Sequence, residues 1–310
     1  MSLMVKKTQI AAKIENPEGT PQTLAGADAF LAANVSFKPN LEMGDRDNVT
    51  SSLSRFSRVP GARSAQIEFD MEVKGSGTKG TAPALGKLLK ACGFGETPVS
   101  QQSVTYKPAS TAISSLTMAA YMDGGMIKKL WGARGDISLK LDNGKPGWLH
   151  FVFTGADFSV TTDPMLTSGL NYETTAPPAF LSASLLVQSY AALIGSLEIK
   201  MGNKVALRKG VNSASGNVSA IIVERDPQMS FDPETVTVAT HDFYGKLRSG
   251  ALGNLTLALT GQAGNICTIT APKVQYINIA PGDREGVRTL GIDCALTRNA
   301  GDDELVLAFT

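Results

Sequence analysis

Gly75-Ser76-Gly77-Thr78-Lys79-Gly80 has the spacing GxGxxG, in which glycines let a pyrophosphate approach backbone N–H groups between a strand and a helix. The residues just before it argue against that chemistry. A dinucleotide-binding first strand is buried on both faces and nearly continuous in apolar residues. Here Ala65, Ile67, Phe69, Met71 and Val73 alternate with Gln66, Glu68, Asp70 and Glu72, so one face meets water. Thr81-Ala82 stands where a Walker loop needs Lys-Ser/Thr. The loop reads as a flexible connector, and no cofactor is expected.

Paired acids are the next candidates. Asp70 and Glu72, and again Asp232 and Glu234, are spaced i, i+2, which puts both members on one face of a strand. Two carboxylates flanking a bond would suit glycoside hydrolysis. Their recurrence at matching places fits better with a polar strand face that makes a shared subunit contact. The two histidines, His150 and His241, have no partner at metal-ligand spacing, so no metal is expected. Neither GxSxG nor HExxH occurs. Arg134-Gly-Asp136 reads as a turn. Cys92, Cys267 and Cys294 are odd in number and widely spaced, which suits reduced, buried thiols. No catalytic residue emerges, and the chain does not read as an enzyme.

The composition narrows the classes that remain. A chain of 310 residues is long enough for two cores. The net charge is +1, with 18 Lys+Arg against 15 Asp+Glu up to Met165 and 11 against 13 beyond it. Neither half has the basic footprint of a nucleic-acid binder. The stretch from Met1 to Lys7 lacks the apolar core of a signal peptide. The uncharged run between Thr174 and Glu198 holds Pro177, Pro178 and several serines, too polar and too broken for a lipid-facing helix.

The elements that would position these residues are written twice. Val35-Ser-Phe-Lys38 matches Leu197-Glu-Ile-Lys200, and Phe69-Asp-Met-Glu72 matches Phe231-Asp-Pro-Glu234. Gly86-Lys-Leu88 matches Gly245-Lys-Leu247, and Leu116-Thr-Met-Ala119 matches Leu255-Thr-Leu-Ala258. The spacings are 162, 162, 159 and 139, in constant order, which argues for a duplicated unit. Expected boundaries are 1–165 for a first unit with an amino-terminal arm, 166–178 for a linker, and 179–310 for a second unit. Each is expected to be mainly β, a sandwich or barrel flanked by one helix. The first helix should run from Pro83 to Ala91, with Gly93 just past its end. Asn143-Gly144 should turn a hairpin, and Ala280-Pro-Gly-Asp283 another. The arm from Gln9 to Gly26 reads as extended until something holds it. Asn40 to Gly61 and Asn203 to Asp226 read as long polar loops, which are usually functional or ordered by a partner.

Ala12-Lys-Ile-Glu15, Gly19-Thr20, Ala27-Asp-Ala29 and Val35-Ser-Phe37 resemble the opening of tail tube (major tail) proteins of long-tailed, non-contractile bacteriophages. The alternating strand, the helix around Gly86-Lys-Leu88 and the hairpin at Asn143-Gly144 fit that family's unit, here in a duplicated form. The resemblance is strongest over the first half and extends to the second through the repeat. It implies a structural virion protein whose rings of six units stack into a hollow tube for DNA. Its implied partners are further copies of itself and the tail terminator, tape measure and distal tail proteins. It also implies a place in the virion tail after assembly in the host cytoplasm, with no membrane partner. Two units per chain favour three chains per ring, with six as the alternative. The residues expected to stack one ring on the next are Met43, Asp45, Arg46, Asp47, Arg55 and Arg58 in the first loop. In the second they are Lys204, Arg208, Lys209 and Asn212. Asp70, Glu72, Asp232 and Glu234 are the expected strand-face contacts. Without a large basic excess the lumen would let DNA slide. The alternatives are an inner tube protein of a contractile tail or type VI secretion system, and a carbohydrate-binding β-sandwich of a tail tip.

Overall fold

Alternation of apolar and polar residues dominates the chain, and the computed structural model, which describes residues 3–310, is correspondingly mainly β. Met1 and Ser2, at the head of the stretch read above for a signal peptide, lie outside the described residues. The first half contains β1 (Gln9–Ile14), β2 (Ala29–Phe30), β3 (Ala33–Gly44), β4 (Val59–Glu72), α1 (Gly86–Ala91), β5 (Phe94–Val99) and β6 (Ser103–Pro108). It continues with β7 (Leu116–Met122), β8 (Met126–Asp142), β9 (Trp148–Gly155) and β10 (Asp157–Thr162). The second half contains β11 (Leu186–Val187), β12 (Ser196–Lys200), β13 (Asn203–Lys209), β14 (Asn217–Arg225), β15 (Gln228–Phe231) and α2 (Phe243–Ser249). It ends with β16 (Leu252–Leu259), β17 (Cys267–Arg284), β18 (Val287–Thr297) and β19 (Val306–Phe309). The sheets do not close into a barrel.

Strand pairing follows the same plan in both halves. β3 pairs with β4, β4 with β9, β9 with β8, and β8 with β7 and β10. Correspondingly, β12 pairs with β15, β15 with β18, β18 with β17, and β17 with β16 and β19. A helix follows β4 and another follows β15. The β5–β6 hairpin belongs to the first half alone, and its β6 pairs with β19.

The inward face of β4 is Ile67, Phe69 and Met71, all buried. Phe69 and Phe151 stack with centroids 5.5 Å apart, and Phe151 and Phe153 at 5.9 Å. This aromatic stack continues into a single core that runs through both halves. α1 adds Leu88 and Leu89 to it, with Leu85 at its N-cap. α2 is capped by Asp242, whose side chain accepts from the Gly245 N–H, and ends at Gly250 in the left-handed region.

Several local readings need correction. Residues 203–226 form a hairpin, β13–β14, with a short tip. Their polar residues hid an alternation of exposed Lys204 and Arg208 with half-buried Val205 and Leu207. The first long loop is shorter than read, since β3 runs to Gly44 and β4 begins at Val59, which leaves 45–58 as the loop at the tip of a ribbon. Arg134-Gly-Asp136 lies inside β8, and 280–283 lie inside β17, whose turn is Glu285–Gly286.

The amino-terminal arm is already held. β1 pairs with β7 and β2, and the buried Glu15 carboxylate accepts from Ser115, Thr117, Gly19 and Gly132. The stretch 166–178 also packs down, with Leu166, Leu170 and Tyr172 against Ala11, Ala29 and Tyr121. The glycine loop is a junction between the halves. Gly75 N–H donates to Asn265 Oδ1 at 2.8 Å, and a Cβ on Gly75 would lie 2.1 Å from the Gly264 carbonyl oxygen. Glycine is there because backbone meets backbone.

Candidate assembly surfaces

Directly opposed residues in antiparallel strands share a face, so one run of strands sets out a continuous surface. The run is β3-β4-β9-β8-β12-β15-β18-β17, and it crosses from one half to the other through β8–β12. At that crossing Ser196 opposes Asp142 and Lys200 opposes Ser138. Leu139, Leu141, Leu197 and Ile199 are buried on the core side of the crossing. Asp70, His150, Ser138, Lys140, Glu198, Ser230 and Asp293 occupy the other side. This polar face is mixed in sign, and its charges have partners. Lys38 meets Glu68 at 2.6 Å and Lys200 meets Glu198 at 3.3 Å. A hollow of about 440 Å³ bordered by Asp70, Lys140, His150 and Glu198 lies on it.

The four predicted strand-face acids divide into two arrangements. Asp70 Oδ1 lies 2.7 Å from His150 Nδ1, and Asp70 Oδ2 accepts from Asn34 Nδ2 at 2.6 Å. Glu72 pairs with Lys74 at 3.2 Å. Asp232 and Glu234 both hold Arg284, at 3.2 and 2.9 Å. Asp232 also accepts from the Gly195 and Ser196 N–H groups. Sequence reasoning missed Arg284, because nothing local ties an arginine to acids fifty residues before it.

All ten predicted loop residues are exposed. Met43 ends β3. Arg58 pairs with Asp45 at 2.7 Å across the ribbon tip, and Arg46 lies 5.1 Å over the Phe56 ring. Asp47 and Arg55 lie in the tip between these contacts. In the second hairpin Lys204 faces Glu224 at 3.6 Å, Lys209 reaches Glu42 at 3.9 Å, and Arg208 and Asn212 project outward. Exposed pairs of this kind contribute little stability, so these side chains are available to a partner.

The two hairpins differ in what lies beneath them. β13–β14 lies on the first half. Asn203 Nδ2 donates to the Cys92 and Gly135 carbonyls at 2.7 and 3.1 Å, and Asn203 N–H donates to Asp136 Oδ1 at 2.9 Å. Burial raises the pKa of that Asp136 carboxyl, with the Asn203 and Ile137 backbone N–H groups opposing the shift. Ser215 O accepts from the Arg63 N–H, and Arg134 reaches the Ala220 carbonyl. Arg134 also pairs with Glu18 and holds that carboxyl below its usual range. The ribbon of β3 and β4, by contrast, is exposed on nearly every residue from 38 to 61, with Val49 and Leu53 bare. Among the described residues, β3 pairs only with β4, and residues 278–284 of β17 pair only with β18. Pro39 and Pro281 sit on these two edges, where a missing N–H is tolerated.

A further contact between the halves is a hydrogen bond from Ser110 to an ion cluster of the second half. Asp302 accepts from Ser110 Oγ at 2.6 Å, and Arg225 joins Asp302 and Glu304. The Ser110 hydrogen bond and then Arg225 hold the Asp302 carboxyl below its usual value of 3.8. A carboxyl lowered in the folded state stabilises fully above its unfolded pKa and loses that contribution as pH falls through the folded value. Asp302→Asn is therefore expected to unfold at lower denaturant than the wild-type chain at pH 7. The two midpoints should converge as pH falls well below 3.8. A gap unchanged with pH would remove this role.

Among the described residues no group of His, Cys, Asp or Glu is arranged to hold a metal ion. The three cysteines are free and buried, and burial raises the Cys267 thiol to about 12. No described helix is long and apolar enough to cross a membrane. No curated protein matches the sequence. A family model described as phage tail tube protein matches residues 6–297. A polar-faced β structure with two open edges and an exposed ribbon, matched over nearly its whole length, belongs to the phage tail tube protein family and is a structural component of the phage tail.

Proposed function

We propose that this chain polymerises head to tail into rings, which stack into the hollow tail tube through which DNA passes. Each chain supplies two units, 1–165 and 179–310 joined by 166–178, and three chains make a ring of six quasi-equivalent positions. The observation that carries this reading is the β8–β12 crossing. Strand for strand, β3 corresponds to β12 and the outer half of β17 to that of β8, so the two open edges are the separated halves of a contact the chain already makes once. A heterologous contact of that kind closes into a ring when its rotation permits. Open edges left unpaired would otherwise invite irregular association.

In this arrangement the polar face of the long strand run lines the lumen. Its mixed, mutually neutralised charges would give DNA no sustained hold. The exposed ribbon side chains Met43, Asp45, Arg46, Asp47, Arg55 and Arg58, with Lys204, Arg208, Lys209 and Asn212, face the next ring. Asp70, Glu72, Asp232 and Glu234 support the seam through His150, Lys74 and Arg284. The tail is of the non-contractile type, assembled in the host cytoplasm, and the tube ends meet the terminator, tape measure and distal tail proteins. Negative-stain imaging of the purified protein at rising concentration should show hollow tubes or rings. A monodisperse monomer at every concentration would contradict the proposal.

A further inference from the structure

The turn that follows β8 has a seat within the chain. Asn143 N–H donates to the Gly195 carbonyl at 2.8 Å, and Asn143 borders a groove with Ala192, Leu193 and Ile194, just ahead of β12. By the same strand correspondence, the segment leading into β3 is Leu31–Ala33, whose last residue opens the strand, and the turn that follows β17 is Glu285–Gly286. Both lack a counterpart contact among the described residues. Leu31, Ala32 and Ala33, with Met71, Ala84 and Trp148, line the apolar part of a cleft of about 190 Å³. Asp70, Glu72 and Lys74 also border it, and Lys74 donates to the Glu173 carbonyl at 3.1 Å. Leu31 is 46% exposed and Trp148 37%. The β17–β18 turn stands clear, since a Cβ on Gly286 would meet nothing within 4 Å, and Val287 beside it is 47% exposed.

A second observation marks the cleft as unfilled. Glu173 lines it, with Oε2 accepting from the Ala84 N–H at 3.2 Å while the buried Oε1 has no hydrogen-bond partner. An unpaired buried acceptor of this kind calls for a donor.

We propose that the β17–β18 turn of one chain seats in the cleft ahead of β3 of the next chain, with Glu285 N–H on the Ala33 carbonyl. Val287 then covers Leu31 and Trp148, and a donor of the incoming turn meets Glu173 Oε1. The occupant is a second copy, because the chain's own β8–β9 turn already fills the equivalent place. This inference rests on the head-to-tail reading above and names its contact.

The test is a mixing experiment. Leu31→Cys and Glu285→Cys are made as separate full-length proteins, and Val287→Cys, on the same turn, is run in parallel. The native cysteines are buried, so a short bis-maleimide reports on the new thiols. The expected result is a covalent dimer when the Leu31 variant is mixed with either turn variant under polymerising conditions, and none from any variant alone. Rings or tubes in the mixture without that dimer would overturn the cleft contact while leaving the head-to-tail reading intact. Absence of rings and tubes from the wild-type chain as well would overturn both.

Discussion

Removing residues 40–61 and closing β3 onto β4 with a short turn is expected to leave a folded, soluble protein that forms no tubes. The excised residues are nearly all exposed, and the ladder from Lys38–Gln66 down to Ala33–Asp70 lies outside the cut. The core residues Ile67, Phe69 and Met71 are untouched. The Lys209–Glu42 pair at 3.9 Å, a contact with the second half, goes, while the Gly216 approach to Ala62 stays. The lost pair is worth no more than about 1 kcal/mol. The loss of assembly should be complete, because Val49, Leu53 and Phe56 and the charges around them have no other visible reason to be exposed together. Far-ultraviolet circular dichroism and the melting temperature would report the fold, and negative-stain imaging the assembly. Long tubes from the trimmed protein would refute the role given to this ribbon.

Phe151→Ala is expected to lower stability by about 4 kcal/mol, the usual range for deleting a fully buried ring. Phe151 is 0% exposed and sits between Phe69 and Phe153, with centroids 5.5 and 5.9 Å away. Its strand is bonded on both sides, by β4 and β8, so the backbone cannot collapse to fill the cavity. Domain stabilities are only about 5–15 kcal/mol, so the variant should be markedly less stable and assemble poorly. Denaturant unfolding with an unchanged slope would measure the difference. A loss under about 1 kcal/mol would mean that the stack is not the anchor of the core.

Much of this architecture was legible because burial on one face imposes a period of two. The alternation from Ala65 to Val73 marks β4 and its inward residues, and Asn143-Gly144 marks the β8–β9 turn. The helix signals were also local: Gly93 follows α1 with φ of +82°, as a helix stop requires. What stayed hidden depended on distant chain. Val205 and Leu207 read as loop because their cover, β8, is some seventy residues earlier. Arg134 looked like turn polarity, whereas its guanidinium is buried against Glu18 and the Ile113 and Ala220 carbonyls. Pro281 and Gly282 suggested a turn inside β17, although the far side of that strand is an open edge where proline is tolerated. Glu15 looked like a solvated arm residue, and only its four donors explain its burial. Gly75 and Gly77 read as part of a flexible connector, and Gly264 drew no reading at all. Their reason is close backbone contact between the halves, which no spacing rule within one segment encodes.

The central claim is that one contact, made within the chain at β8–β12, is repeated between chains until a ring closes. The mass of the smallest closed species, measured by native mass spectrometry on rings released from dissociating tubes, tests it most directly. The expected result is three chains of 32.6 kDa each, with higher species stepping in multiples of that ring. A smallest closed species of any chain number other than three, or a two-fold dimer as the only assembly, would contradict it.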